Sequence, residues 1–259
     1  MNHDDHEYYG SSSIDDDPHV YDNGVLKNHF GIRSTAELGE VEASLSGLRG
    51  IELHENPISG RLDLEHAKKI HHHLFQDIYP WAGQVRSVDI AKGGTLFLPV
   101  EKIEEEFDKL SSYLSESGLS KQRIDNEKEF SSAAGIYLGR LNLIHPFREG
   151  NGRTQRQLLR MLAQEHGFKI DWSGTSPEAM KRACIEAEDD PQCKAAGKLI
   201  FLAQSRIKPD LSSDNGILNS KFFKMIETGN LPKSNDFISE ALSSEDKSMD
   251  SEYESKPKL

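Results

Sequence analysis

Apolar residues recur every three or four positions over most of the chain from residue 34 to residue 205. This spacing places them on one face of an α-helix. Capping residues such as Ser34 and Asp63, and breaking residues such as Gly167, mark the ends of the periodic stretches. The pattern predicts seven helices, over residues 34–48, 63–79, 100–117, 126–142, 155–166, 177–187 and 192–205.

One segment departs from the helical spacing. Between residues 84 and 99, short apolar runs flank the pair Gly93-Gly94. Such runs around a glycine pair predict a β-hairpin with a tight turn. We therefore expect an all-α fold, a compact helical bundle over residues 21–208 that carries one β-hairpin.

Both ends of the chain differ in composition from the middle. Residues 1–20 are rich in Asp, Ser and His, and the end of segment 209–259 is rich in Ser, Asp, Glu and Lys. Such compositions bury little apolar surface, so we expect disordered tails. The second tail is expected to follow one short docked helix, indicated by the apolar residues Phe222, Phe223, Met225 and Ile226.

The charge of the chain is concentrated in these tails. The net charge is −12, of which residues 1–24 carry −7 and residues 210–259 carry −4, which leaves −1 on residues 25–209. A near-neutral middle argues against a broad nucleic-acid-binding face. The chain also has no run of the roughly 18 apolar residues that a spanning helix needs and no signal-peptide pattern. We therefore expect a cytoplasmic protein without a membrane partner, while secretion into a host cell through another signal stays open.

The densest group of reactive side chains is the stretch HPFREGNGRTQR at 145–156. Gly150 and Gly152 allow the backbone to curl its N–H groups around an anion. Arg153 and Arg156 lie three positions apart, so on a helix they share a face and could reach adjacent phosphates. The stretch therefore predicts a site for a polyphosphate.

Three other residues of this stretch suit chemistry on a nucleoside triphosphate. Asn151 tolerates the left-handed conformation and can donate its amide to an oxygen. Glu149 is a hard oxygen ligand suited to Mg²⁺. His145 alone can take up a proton near neutral pH, which makes it the candidate general base.

The same stretch resembles the signature of the Fic family, HPFx(D/E)GNGRxxR, and matches it at every specified position. The segments LFQDIYPWAGQVR at 74–86 and KGGTLF at 92–97 are similar to the family's upstream stretch and flap. The resemblance extends over about residues 21–205. It implies the Fic fold, in which the signature loop joins two central helices beneath a hairpin flap.

The resemblance implies a protein adenylyltransferase, which transfers AMP from ATP to a Ser, Thr or Tyr hydroxyl of a target protein. His145 would be the general base and Glu149 would hold Mg²⁺. The loop and both arginines would bind the phosphates, with Arg156 on the γ-phosphate. The flap would dock an extended segment of the target by strand addition, through Lys92, Gly93, Gly94, Thr95, Leu96 and Phe97.

Single residues separate related activities within the family. Kinases of the Doc type carry Lys at the position of Gly152, and phosphocholine-transferring relatives carry Ala at the position of Gly150 and lack the last arginine. The sequence therefore favours AMP transfer, and the alternative is an inactive Fic-fold interaction module.

The partners are less sharply indicated than the activity. A host GTPase is one candidate target. The family's inhibitory pattern (S/T)xxxE(G/N) does not occur in this chain. We therefore expect any inhibition to come from a separate small antitoxin, and an effector role and a toxin–antitoxin role both stay open.

Overall fold

The computed structural model describes residues 7–8, 17–92, 95–120 and 123–207, and for Glu7–Tyr8 and Thr95 it describes the backbone alone. The predicted turn residues Gly93 and Gly94 lie outside the described residues. So do the predicted short helix near residues 222–226 and the rest of the segment 209–259.

Helices dominate the described part of the chain, which confirms the predicted all-α class. Ser34, Asp63 and Asn126 cap three of the helices, because each side chain accepts a hydrogen bond from a first-turn N–H. A 3₁₀ turn at Val100–Lys102 precedes the third helix. The helices are α1 (Thr35–Glu55), α2 (Leu64–Phe75), α3 (Ile103–Glu116), α4 (Glu127–Ile144), α5 (Asn151–Glu165), α6 (Pro177–Asp189) and α7 (Lys194–Ala203).

The central helix α4 packs closely against α7 through glycines. A Cβ added at Gly135 would lie 2.5 Å from the backbone nitrogen of Gly197. One added at Gly139 would lie 2.4 Å from Sγ of Cys193. These distances are shorter than any normal carbon contact, so only glycine permits this approach of the two helices.

The predicted hairpin is present and gains a third strand. Strands β2 (Ile90–Lys92) and β3 (Thr95–Leu96) are antiparallel, and β1 (Glu7–Tyr8) pairs with the other edge of β2. The strand β1 comes from the segment that composition assigns to a tail. We call residues 90–97, which comprise this hairpin and the adjoining Phe97, the flap.

A second small sheet replaces the end of a predicted helix. Strand β4 (Phe168–Ile170) pairs antiparallel with β5 (Gln204–Arg206). The apolar spacing predicts a helix up to residue 205, but α7 ends at Ala203. Pairing with β4 decides the conformation of β5, since a short segment takes the structure that its neighbours stabilise.

The segment before α1 is packed into the fold. Asp17 and Val20 are buried, and an isolated bridge joins Val20 to Leu26. The Nε of Arg148 donates to Oδ2 of Asp17 at 2.6 Å. The packed region therefore includes Asp17 and Val20, which belong to the segment 1–20 that the composition assigns to a tail.

No helix in the described ranges combines the length and the apolarity needed to cross a bilayer.

Candidate active site

The signature loop, residues 145–150, reverses the chain between α4 and α5. Its first and last residues are both left-handed, His145 with φ 45° and Gly150 with φ 79°. A Cβ at Gly150 would lie 2.3 Å from the ring of Phe75, so glycine is required there on two grounds. The left-handed His145 ends α4, at a cost in backbone strain that the surrounding contacts must offset.

The side chain of Asn151 closes the loop from inside. Its Oδ1 accepts the Phe147 N–H at 2.9 Å, and its Nδ2 donates to the Phe147 carbonyl at 2.6 Å. The amide was predicted to bind an oxygen of the ligand. In the structure both polar atoms of this amide bond to the backbone of the loop and stabilise its conformation.

Arg86 connects the signature loop to the segments on both sides of the flap. Its buried guanidinium donates to the carbonyls of His145 at 2.9 Å and Val88 at 2.8 Å, and also to that of Leu98. Its own N–H donates to the carbonyl of Pro146 at 2.9 Å. Burial lowers the pKa of Arg86 to about 10, which is still high enough for it to stay charged at neutral pH. Sequence reasoning assigned this residue no role in the site.

His71 supports the loop from α2. The Gly83 N–H donates to its Nδ1 at 2.8 Å, and its Nε2 lies 3.0 Å from the Glu149 carbonyl. Because an N–H can only donate and a carbonyl can only accept, the ring must be neutral with its proton on Nε2. Its ring stacks on Phe147 with centroids 4.0 Å apart. Burial lowers the pKa of His71 to about 3.

The imidazole of His145 is held in one tautomer. Its Nδ1 lies 3.2 Å from the carbonyl of Asn142, which can only accept, so this nitrogen carries the proton in the neutral ring. The Nε2 then carries the lone pair that a general base needs. Phe97 of the flap stacks on the ring with centroids 3.6 Å apart and planes 15° apart.

A cavity of about 600 Å³ opens beside this imidazole. The opposite wall comes from α6 and the loop before it and includes Trp172, Met180 and Ile185. Most of the predicted site residues meet at the cavity, whereas Gly150, Arg153 and Leu96 do not line it. Those that do are His145, Glu149, Asn151, Gly152, Arg156, Lys92 and Phe97.

Arg156 lines the cavity. Within the described ranges it has no hydrogen-bond or ion-pair partner. Burial, together with the charge of Arg153, lowers the pKa of Arg156. A Cβ at Gly152 would lie 3.3 Å from its Nη1, so the glycine leaves room for the guanidinium.

Arg153 points away from the cavity. It donates to Oε1 of Glu42 and, through Nη1, to Ser46 at 3.0 Å, both on α1. Its guanidinium lies 4.7 Å over the ring of Phe75, and its Nη2 is 3.5 Å from Oε1 of Glu149. The two arginines of the signature therefore share a helix but serve different surroundings, which their spacing alone did not reveal.

The chemistry around Glu149 fits a divalent cation bound together with phosphate. Its Oε1 accepts the Gly150 N–H at 2.8 Å, and the residue lines the cavity. In the described part of the chain no cluster of three or more His, Cys, Asp or Glu could hold a metal by itself. Mg²⁺ commonly takes one or two carboxylates and completes its shell with phosphate oxygens and water. One carboxylate beside a phosphate site meets that requirement.

Comparison with curated proteins identifies similar chains. The chain is 42% identical over 181 residues to the protein adenylyltransferase VbhT of Bartonella schoenbuchensis, covering 70% of this chain and 37% of that protein. It is 37% identical over 163 residues to the probable protein adenylyltransferase y4lH of Sinorhizobium fredii, covering 63% of this chain and 83% of that protein. The chain thus spans just over a third of VbhT. Both names agree with the predicted nucleotidyltransferase activity.

Solved structures show the same fold. BepC, a VirB-translocated effector of Bartonella tribocorum solved with bound AMPPNP, is 25% identical with a TM-score of 0.67 over 73% of this chain and 97% of its own. The N-terminal Fic domain of a putative cell filamentation protein of Bartonella quintana, solved with bound ADP, is 28% identical with a TM-score of 0.66 over 73% and 95%. The Fic/DOC family profile matches residues 61–163. The signature loop, the helical fold and these similarities together show that the chain belongs to the Fic/DOC family.

Proposed function

We propose that this chain is a protein adenylyltransferase that transfers AMP from ATP to a Ser, Thr or Tyr hydroxyl of a target protein. One observation carries the proposal. A single cavity brings the imidazole of His145 together with Arg156, a cation that has no partner among the described residues. A base and an uncompensated arginine in one cavity suit a reaction of a hydroxyl with a polyphosphate.

The lining of the cavity offers surfaces that suit both the base and the phosphates of a nucleotide. Trp172, Met180 and Ile185 give an apolar wall against which an aromatic base can pack. Arg156 and the first turn of α5 give positive charge and backbone N–H groups for phosphates. Relatives solved with AMPPNP and with ADP support a nucleotide here.

The proposed step is an in-line displacement at the α-phosphorus. The acceptor hydroxyl gives its proton to Nε2 of His145, whose tautomer is held by the carbonyl of Asn142. The hydroxyl oxygen forms the new bond to the α-phosphorus while the bond to the bridging oxygen breaks, and pyrophosphate leaves. Glu149 would hold Mg²⁺, which when bound offsets negative charge on the phosphates. Positioning by the loop and by Arg156 supplies the remaining stabilisation.

The flap is the proposed docking site for the target. Phe97 of the flap touches the ring of His145, so the position of the flap and the position of the base are coupled. An extended target segment that adds to the flap would present its hydroxyl near that base. Leu96, 47% exposed next to Phe97, offers apolar surface to such a segment.

The proposed target is a protein that bears an acceptor hydroxyl. A host GTPase is one candidate, and relatives described as translocated effectors support an action inside a host cell. A toxin controlled by a separate antitoxin is the other role that the sequence leaves open.

The activity can be tested with two labelled forms of ATP and a cell lysate. Compared with lysate alone, the chain should add protein labelling from ATP labelled on the α-phosphate and none from ATP labelled on the γ-phosphate, and His145→Ala should remove the added labelling. Labelling from the γ-phosphate would identify a kinase of the Doc type instead. Labelling from neither form would favour an inactive interaction module.

A further inference from the structure

Glu42 is a buried carboxylate on α1, more than 100 positions before the signature loop in sequence. Both of its oxygens have partners, because Arg153 donates to Oε1 and Tyr79 donates to Oε2. Burial, together with the carboxylate of Glu42, raises the pKa of Tyr79, so its hydroxyl remains a donor. A buried carboxylate is costly unless such partners compensate it. The contact with Arg153 therefore compensates the cost of burying the charge of Glu42.

Arg153 lies between two carboxylates. Its Nη2 contacts Glu42 and is 3.5 Å from Oε1 of Glu149. Burial opposes the charge of Arg153, but Glu42 and Glu149 outweigh it and raise the pKa. The same Nη2 faces both carboxylates, so a movement of this nitrogen toward one of them lengthens its distance to the other.

Two further contacts stabilise the position of Arg153 beside Glu42. Ser46, one turn after Glu42, accepts from Nη1 of Arg153 at 3.0 Å. Phe75, the last residue of α2, places its ring 4.7 Å from the guanidinium. These contacts hold Arg153 toward α1 and away from the cavity.

We infer that Glu42 is a positioning residue, which draws Arg153 toward α1 and thereby keeps the carboxylate of Glu149 available to the divalent cation bound with the nucleotide. The inference rests on the proposed function. If the charge of Glu42 is removed, the other carboxylate beside Arg153 is that of Glu149. A tighter pair between those two residues competes directly with the cation for the same oxygens.

Glu42→Gln tests this role, because it keeps the size of the side chain and an oxygen for Tyr79 but removes the charge. The binding of Mn²⁺ to the full chain in the presence of AMPPNP, followed by the electron paramagnetic resonance signal of free Mn²⁺, should weaken about fivefold or more, since an ion pair is lost. The Mg²⁺ concentration for half-maximal AMP transfer should rise in parallel. At saturating Mg²⁺ the kcat should stay within about twofold of wild type, because the reacting groups are unchanged.

Two further variants control the test. Glu40→Gln removes the same charge from an exposed position of α1 and should change neither Mn²⁺ binding nor the Mg²⁺ requirement. Ser46→Ala removes an uncharged hydrogen bond to Arg153. It should also weaken Mn²⁺ binding, but by less than Glu42→Gln does. It leaves no buried charge unpaired, so it decides the question even if Glu42→Gln does not fold.

Three results would overturn the inference. One is unchanged Mn²⁺ affinity in the folded variants. Another is a kcat that falls while the Mg²⁺ requirement is unchanged, which is the signature of a merely structural contact. The third is faster transfer by Glu42→Gln at all Mg²⁺ concentrations, which would make Glu42 a brake on Arg153. Absence of transfer by the wild-type chain would instead refute the proposed function, and Mn²⁺ binding would then decide the role of Glu42 alone.

Discussion

Acid should destabilise the fold through His71, whose ring cannot take up a second proton in place. Its Nδ1 accepts the Gly83 N–H and its Nε2 donates to the Glu149 carbonyl, so protonation would break the first of these bonds. Burial lowers the pKa of His71 from its ordinary value of 6.5 to about 3. Below pH 6.5 this histidine is therefore protonated in the unfolded chain, whereas in the folded chain it stays neutral down to about pH 3.

The sign and the size follow from this difference. Because the unfolded state binds more protons in this window, the free energy of unfolding falls as the pH falls from 6.5 toward 3. One pKa unit corresponds to about 1.4 kcal/mol. His71 therefore lowers the free energy of unfolding by about 3 kcal/mol at pH 4, and by on the order of 4–5 kcal/mol once the pH is below about 3.

Urea unfolding of the wild type and of His71→Gln between pH 7 and pH 4 measures this effect. Glutamine keeps one acceptor and one donor but does not titrate. The wild type should be more stable at pH 7, and its advantage should shrink by about 3 kcal/mol as the pH falls to 4. The exposed neighbouring position provides the control variant, His72→Gln. Parallel stability curves for the wild type and His71→Gln would refute the reasoning.

Three further substitutions test the loop and its ligands. Gly150→Ala should lower the stability by about 1–3 kcal/mol in thermal unfolding, because the residue has φ 79° and a Cβ would meet Phe75; Gly174→Ala, with open space around it, should be nearly neutral, and equal effects would contradict the account. Arg156→Ala should weaken ATP by about 1.5–3 kcal/mol in calorimetry and AMP by much less; equal losses would remove this residue from the outer phosphates. Glu149→Ala should raise the Mg²⁺ concentration that AMP transfer requires, and an unchanged Mg²⁺ titration would exclude the metal role.

The sequence predicted the features that short-range chemistry decides. The helix caps Ser34, Asp63 and Asn126 are visible in sequence because each bonds an N–H two or three residues ahead. The hairpin was visible from its glycine pair. The polar stretch at 145–156 contains His145 and Arg156, which line one cavity.

The sequence could not predict what distant residues decide. The partner of Arg153 is Glu42, 111 positions away, and the partner of Arg148 is Asp17, 131 positions away. A charge in an acidic or amphipathic segment gives no local sign of such a pairing. Spacing showed that the two arginines share a helix, but the direction of each depends on what α1 and α6 place against it.

The start of α5 illustrates the same limit within one loop. Its glycines favour a loop because glycine is a weak helix former, so the sequence predicts a helix that begins only at Gln155. The helix begins at Asn151, whose side chain bonds both the N–H and the carbonyl of Phe147. This closure holds the loop and lets the helix begin four residues earlier than propensity alone predicts.

The central claim is that His145 acts on the acceptor hydroxyl while the rest of the cavity binds the nucleotide. His145→Ala with α-labelled ATP and target lysate tests it most directly, with AMPPNP binding measured on the same preparation. We predict that transfer falls by about 10²–10⁴-fold, as for the loss of a general base, and that AMPPNP affinity stays within about twofold of wild type. Transfer at the wild-type rate, or an equal loss of transfer and of AMPPNP binding, would contradict the claim.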